Sequence, residues 1–203
     1  MTGQPCGTAR VEALTDLMRS QPWIMRVLEV VREADIPDAW VGAGVLRDLV
    51  WDQVYGWGFV PGRVRDVDIA YFDLGDLSAG NDDSVTGDLY RRWPEVPWEA
   101  KNQAAVHTWY PDRFGGGPVP ALTSIHDAVR TWPETATAVA ARLRPHDAIE
   151  ICAPFGVDDL LDGVWRRNPR RVSAAQSLAR LARQQPQRRW PSVSVIAPET
   201  DLA

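Results

Sequence analysis

The chain predicts an α+β fold: a mixed sheet with helices packed on it. Three observations point that way. Apolar stripes at helical spacing and short apolar runs at strand spacing follow one another irregularly, without a regular βαβ succession. A small-residue turn, Gly42-Ala43-Gly44, joins a short apolar strand pattern to a helical one. Further on, Arg65-Asp66-Val67-Asp68-Ile69-Ala70-Tyr71 alternates carboxylate and apolar positions as a half-buried strand does.

The elements follow in order. Leu14, Leu17 and Met18, then Met25, Leu28 and Val31, mark helices over 9–19 and 22–33. Ala39-Trp40-Val41 reads as a strand over 38–41. Val45, Leu46, Leu49 and Val50 recur at helical spacing, with Arg47 and Asp48 on the other side, giving a helix over 44–55. A second strand covers 65–72, a loop 75–83, a short helix 84–92, and a strand beside the second 96–100. Ser124 caps a helix over 124–132, with Asp127 in its first turn. Segments 138–143 and 148–152 form a hairpin. Helices over 157–166 and 173–184 close the fold, and a loose tail runs from Pro186.

Composition limits the function classes. With 203 residues the chain suffices for one sizeable core. Cys6 and Cys152 stand far apart and no signal peptide is visible, which predicts a reducing, cytoplasmic setting without a disulfide framework. No apolar run approaches a membrane span, so no membrane partner is expected. A net charge of −5 argues against wholesale coating of nucleic acid. That average hides an acidic stretch over 66–88 and an arginine-rich one over 166–189.

The strand over 65–72 carries most of the chemistry. Asp66 and Asp68 project to one side, with Val67, Ile69 and Tyr71 opposite. Two carboxylates so close repel at neutral pH, which raises one pKa or demands a cation, and hard divalent ions take oxygen ligands. The plainer reading is a solvated Asp-x-Asp at a strand edge; the apolar neighbours Val67 and Ile69 favour the metal. Gly42 and Gly44 also have a plain reading as a tight turn, and they do not form a dinucleotide fingerprint. A strand, a glycine turn and a helix start nevertheless present backbone N–H groups suited to phosphate oxygens.

Other candidates are weaker. Lys101 is the single lysine of the chain. If 101–110 is helical, Gln103 and His107 share a face, although a lone histidine among apolar neighbours is more often structural. His126, His146 and the cysteines show no zinc spacing. The basic segment Trp165-Arg166-Arg167-Asn168-Pro169-Arg170-Arg171, with the helix after it, reads as an RNA or polyanion surface. The favoured alternative is a solvated face with Leu178 and Leu181 inward and its arginines paired to the 66–88 stretch. Ten scattered tryptophans read as packing residues rather than as a stacking platform.

Gly42-Ala43-Gly44-x-x-Arg47-Asp48 followed by Asp66-x-Asp68-Ile69 resembles the signature of the DNA polymerase β-type nucleotidyltransferase superfamily, especially its tRNA CCA-adding enzymes. Trp98-Glu99-Ala100-Lys101-Asn102-Gln103-Ala104, 132–139 and 153–160 extend the resemblance to a family of small bacterial nucleotidyltransferase-like proteins over roughly residues 20–190. The resemblance implies that Gly42 and Gly44 sit where a triphosphate docks. It makes Asp66 and Asp68 the first two metal-binding carboxylates, and Glu99 the third rather than Asp73, whose position on the strand faces away. Arg47 and Lys101 become phosphate contacts. It further implies Mg²⁺ or Mn²⁺, a nucleoside triphosphate, and an acceptor that is a small molecule, a protein or RNA. Ala43 departs from the paired-glycine pattern, which leaves open a catalytically inactive nucleotide-binding or RNA-interaction module on the same fold. As a domain plan it gives one unit over 1–190, with N-terminal helices over 1–35, a catalytic α/β core over 36–155 and C-terminal helices over 156–185. A tail over 186–203 follows.

Overall fold

The sheet that organises the molecule has the order β3-β2-β1-β4-β5, with β2 and β3 parallel and every other neighbour antiparallel. These strands are β1 (Trp40–Gly42), β2 (Val67–Tyr71), β3 (Trp98–Asn102), β4 (Ala140–Leu143) and β5 (Ile149–Cys152). The computed structural model describes residues 6–115 and 117–198. Helices α1 (Cys6–Arg19), α2 (Pro22–Glu33), α3 (Gly44–Tyr55) and α4 (Ala79–Arg92) precede or connect the first strands. After β3 come α5 (Val106–Phe114) and α6 (Ile125–Val129). Past the hairpin lie α7 (Asp158–Leu161), β6 (Val164–Arg166), α8 (Ala174–Gln184), α9 (Pro186–Arg189) and β7 (Ser194–Ile196), with β6 and β7 forming a small parallel sheet.

Alternation along the strands divides the sheet into two faces. Val41, Val67, Ile69, Tyr71, Trp98, Ala100 and Ala141 join the main core together with Leu28, Val31, Leu46, Leu49 and Leu89 from α2, α3 and α4. Trp40, Ala70, Ala140 and Cys152 lie on the opposite face, packed with Ile125 and Val129 of α6. Asp68 alternates with the buried Val67 and Ile69, so it belongs to the second face, as the sequence pattern requires. The parallel β2–β3 pair needs a crossover, and α4 supplies it.

Four expectations are corrected. Helix α4 begins at Ala79 rather than at residue 84, despite glycine and asparagine in its first turn. Tertiary hydrogen bonds hold that turn: Asn81 donates to Asp73, and Asp82 accepts from the Tyr71 hydroxyl and the Asn102 amide. The helix read over 157–166 stops at Leu161, and Val164–Arg166 pair with β7 instead. The residues from Pro186 are folded as far as Ile196, through α9 and β7: Trp190 and Val193 are 3% and 1% exposed. The end of that tail, 199–203, lies outside the described residues. Leu178 is turned outward at 51% exposure, while Leu181 packs on the core. Elsewhere the capping signal at Ser124 holds, its hydroxyl accepting from the Asp127 amide, and the structure adds a capping box of Ser173 with Gln176 at α8. Among the described residues no helix is long and apolar enough to cross a membrane.

Candidate active site

Sheet register sets the site. Asp68 of β2 is the register partner of Gly42 on β1 and of Glu99 on β3. Neighbouring partners on one face point the same way, so Asp68 and Glu99 stand side by side with Lys101 two positions further along β3. Asp66, just ahead of β2, joins them. Gly44, the first residue of α3, donates its N–H to Asp68. A Cβ added at Gly44 would lie 3.4 Å from Asp66 Oδ1 and 3.9 Å from Asp68 Oδ2, so both carboxylates border the space over that glycine.

The turn that presents Gly44 is strained at Ala43, whose φ of 54° lies in the region that favours glycine. Its amide is fixed to the Val139 carbonyl at 3.1 Å. Gly42 has a different task from the one expected. It does not line the cavity; a Cβ there would meet the Trp132 ring at 2.4 Å. Gly42→Ala is therefore expected to push Trp132 off β1 and lower stability by about 1–3 kcal/mol. A thermal midpoint equal to the wild type, with unchanged tryptophan emission, would refute that role.

Electrostatics at the carboxylates is unfavourable in the bare protein. Burial, then the charges of Asp66 and Glu99, push Asp68 up to about 7, against the Gly44 N–H and Arg47. Burial, then Glu99 and Asp48, also raise Asp66. Folded Asp68 thus holds its proton more tightly than unfolded Asp68 does. Its contribution to stability is full below the ordinary value of 3.8 and is lost as pH rises through about 7. In chelator, the melting midpoint should fall from about pH 5 to about pH 8, and Asp68→Asn should flatten that fall. The same slope in both proteins would remove the argument.

The cavity over these carboxylates, about 630 Å³, is otherwise basic and aromatic. Trp132, Trp165 and Trp190 line it with Arg180, Arg183, Arg188 and Arg189. Glu134 is fully buried and receives Arg180 Nε at 2.7 Å and Nη2 at 3.0 Å. Burial opposes the Arg180 charge, but the bonds and charge of Glu134, with help from Asp68, raise its pKa. Arg189 bridges Asp48 at 2.8 Å and Asp52 at 3.0 Å, and Trp190 Nε1 donates to Asp52 at 2.7 Å. Arg183 and Arg188 have no ion pair among the described residues. Trp165 Nε1 is buried without a hydrogen-bond partner.

The remaining expected residues fall out clearly. Lys101 lines the cavity, 3.5 Å from Asp82. Arg47 lines it too, but its guanidinium is held on Asp48 at 2.6 Å and lies 5.4 Å from the Trp190 ring centre. Asp73 is occupied by the Gly75 amide and Asn81. Chain 101–110 is not one helix: β3 ends at Asn102, a 3₁₀ turn spans Gln103–Ala105, and α5 follows. Gln103 reaches the cavity and His107 does not. The ion pairs of Arg166, Arg180 and Arg189 are made with Asp159, Glu134, Asp48 and Asp52 rather than with carboxylates of 66–88. Trp132, Glu134, Arg180, Arg189 and Trp190 were missed as site residues. The signals that could have found them were the part that 132–139 plays in the resemblance and the arginine clustering over 166–189. Among the described residues no three acidic, histidine or cysteine side chains already close round a common point.

The mixed sheet sets its carboxylates beside a glycine turn at a helix start. Residues 29–195 match the family described as nucleotidyltransferase, and the chain belongs to that family. It is similar to a solved structure described as a CCA-adding enzyme head domain, with 24% identity, 92% of this chain and 96% of that one covered, and a TM-score of 0.76. A CCA-adding enzyme in complex with CTP matches at 16% identity and a TM-score of 0.53, over 90% of this chain and 43% of that one. The Thermotoga maritima CCA-adding enzyme complexed with tRNA matches at 17% identity and 0.53, over 90% and 42%. The chain therefore spans about two fifths of those two enzymes. No functionally curated protein matches it in sequence.

Proposed function

We propose that the chain is a metal-dependent nucleotidyltransferase that moves a nucleoside monophosphate from a triphosphate to an acceptor, releasing pyrophosphate. The register that stands Asp68 beside Glu99, next to Asp66 and the Gly44 N–H, carries this reading. Three carboxylates that repel one another suit a hard cation. Asp66, Asp68 and Glu99 would hold Mg²⁺ or Mn²⁺, which when bound neutralises phosphate charge and acidifies an acceptor hydroxyl.

The chain's own groups then do the positioning. Arg180, aimed by Glu134, and the unpaired Arg183 and Arg188 meet phosphate oxygens, for which the planar guanidinium is well shaped. Gly44 leaves room for those oxygens beside its amide. Trp132, Trp165 and Trp190 exclude water, and Trp165 Nε1 offers one donor. Lys101 balances the Glu99 side of the site. Arg47 acts through Asp48 and Trp190, as a support for the wall rather than as a free phosphate contact. Two of the matched enzymes were solved with CTP or with tRNA; for this chain a nucleoside triphosphate and an RNA end are the corresponding proposals, beside small-molecule and protein acceptors.

A second reading, nucleotide binding without chemistry, is favoured by the strained Ala43 in the turn. Calorimetric titration of each nucleoside triphosphate, with and without Mg²⁺, and a pyrophosphate assay separate the two. Metal-dependent binding with pyrophosphate release supports transfer. Binding without turnover against any acceptor favours the second reading, and no binding of a triphosphate by the folded protein overturns both.

A further inference from the structure

Three further arginines gather at a second cavity of about 630 Å³, bordered by Arg130, Arg170, Arg171, Tyr110, Phe114 and Ser173. None of the three arginines has an ion pair among the described residues. Arg130 Nε is buried without a hydrogen-bond partner. Arg171 lies 4.9 Å over the Tyr110 ring, and burial pushes its guanidinium below the ordinary value with no carboxylate to restore it. The single acid in this wall, Asp127, accepts from the Thr123 hydroxyl and lies near enough to Arg130 for their charges to interact, which leaves three arginines to one carboxylate. Tyr110 and Phe114 stand with ring centres 4.8 Å apart. The start of α8 adds its positive dipole end.

Arg171 is a partly buried cation without a carboxylate beside it, Arg130 has only the charge of Asp127 nearby, and Arg170 is exposed at the rim; an anion relieves the cost of burying such charge. Planar guanidinium groups beside aromatic rings suit a phosphate attached to a planar base. The two cavities are also joined. Helix α8 runs from Ser173 at the second to Arg183 at the first, a rise of roughly 15 Å over ten residues. Arg130 and Thr131 face the second while Trp132 and Pro133 face the first.

We propose that the second cavity is an anion site that receives a phosphate of the acceptor, with the attached base against Tyr110 and Phe114. This rests on the transfer reading of the first cavity. The acceptor is then a phosphate-bearing nucleotide compound, either a free mononucleotide or the end of a single strand.

The test uses the full chain, labelled with ¹⁵N and free of metal, titrated with adenosine 5′-monophosphate, adenosine and a short single-stranded oligonucleotide. The monophosphate should shift the Nε–H signals of Arg130 and Arg171 and leave the Gly44 amide in place. Adenosine should bind at least about tenfold more weakly, as should the monophosphate to Arg171→Gln or Arg130→Gln, the loss expected for a charge-assisted hydrogen bond. Unchanged thermal midpoints in these variants certify their folding. An oligonucleotide about tenfold tighter than the monophosphate identifies a strand end; equal affinity identifies a small acceptor. Equal binding of adenosine, wild-type affinity in both variants, or shifts at Gly44 alone would overturn the site. A protein whose Arg130 and Arg171 respond while no Mg²⁺-triphosphate binds loses the transfer reading and the acceptor assignment, but keeps the anion site.

Discussion

Asp68→Asn is expected to abolish Mg²⁺-dependent release of pyrophosphate, by a factor on the order of 10³ or more, while raising the thermal midpoint of the metal-free protein near neutral pH. The two effects share one cause. Asparagine keeps the size of the side chain and removes a charge that burial, Asp66 and Glu99 all oppose. Without an ion, that charge is a cost to the fold; with one, it becomes a ligand. Sites built for function often carry such local instability. Activity within about tenfold of the wild type would sink the proposed role of Asp68. Loss of activity with a lower midpoint would recast Asp68 as a structural residue, because a variant that relieves repulsion should not melt earlier.

The same carboxylates explain why part of this site was legible in sequence. Alternation at 66–71 encodes which side chains share a face, a local property of a strand. Glu99 could be placed only through the resemblance, because its partnership with Asp68 depends on β3 pairing parallel to β2 across α4. The first turn of α4 was hidden for a related reason: Asn102, Asp73 and Tyr71 hold it from outside, and local propensity reads it as loop. Hardest to see was the opposite wall. Arg180, Arg189 and Trp190 lie in a segment that looks like solvated helix and tail. Their meaning comes from Glu134, Asp48 and Asp52, far away in the chain. Gly42 shows the limit from another side. Its glycine was legible, but the Trp132 ring that requires it was not.

The largest stability loss is expected from Arg180→Met. It strands Glu134, whose side chain is 1% exposed, whereas Glu134→Leu strands an arginine that is 30% exposed and can turn toward water. Removing one member of a buried pair costs about 3–5 kcal/mol, and the less hydrated survivor suffers more. Arg180→Met should therefore melt lower than Glu134→Leu, because the carboxylate it strands is the more deeply buried partner. The double variant Glu134→Leu/Arg180→Met should regain most of the lost stability, since an apolar pair of similar volume needs no desolvated charge. If Arg180 serves only the fold, that double variant will also bind Mg²⁺-triphosphate like the wild type. If it meets phosphate, binding stays weakened by about tenfold or more in a protein that melts normally, because the regained packing returns no guanidinium to the cavity.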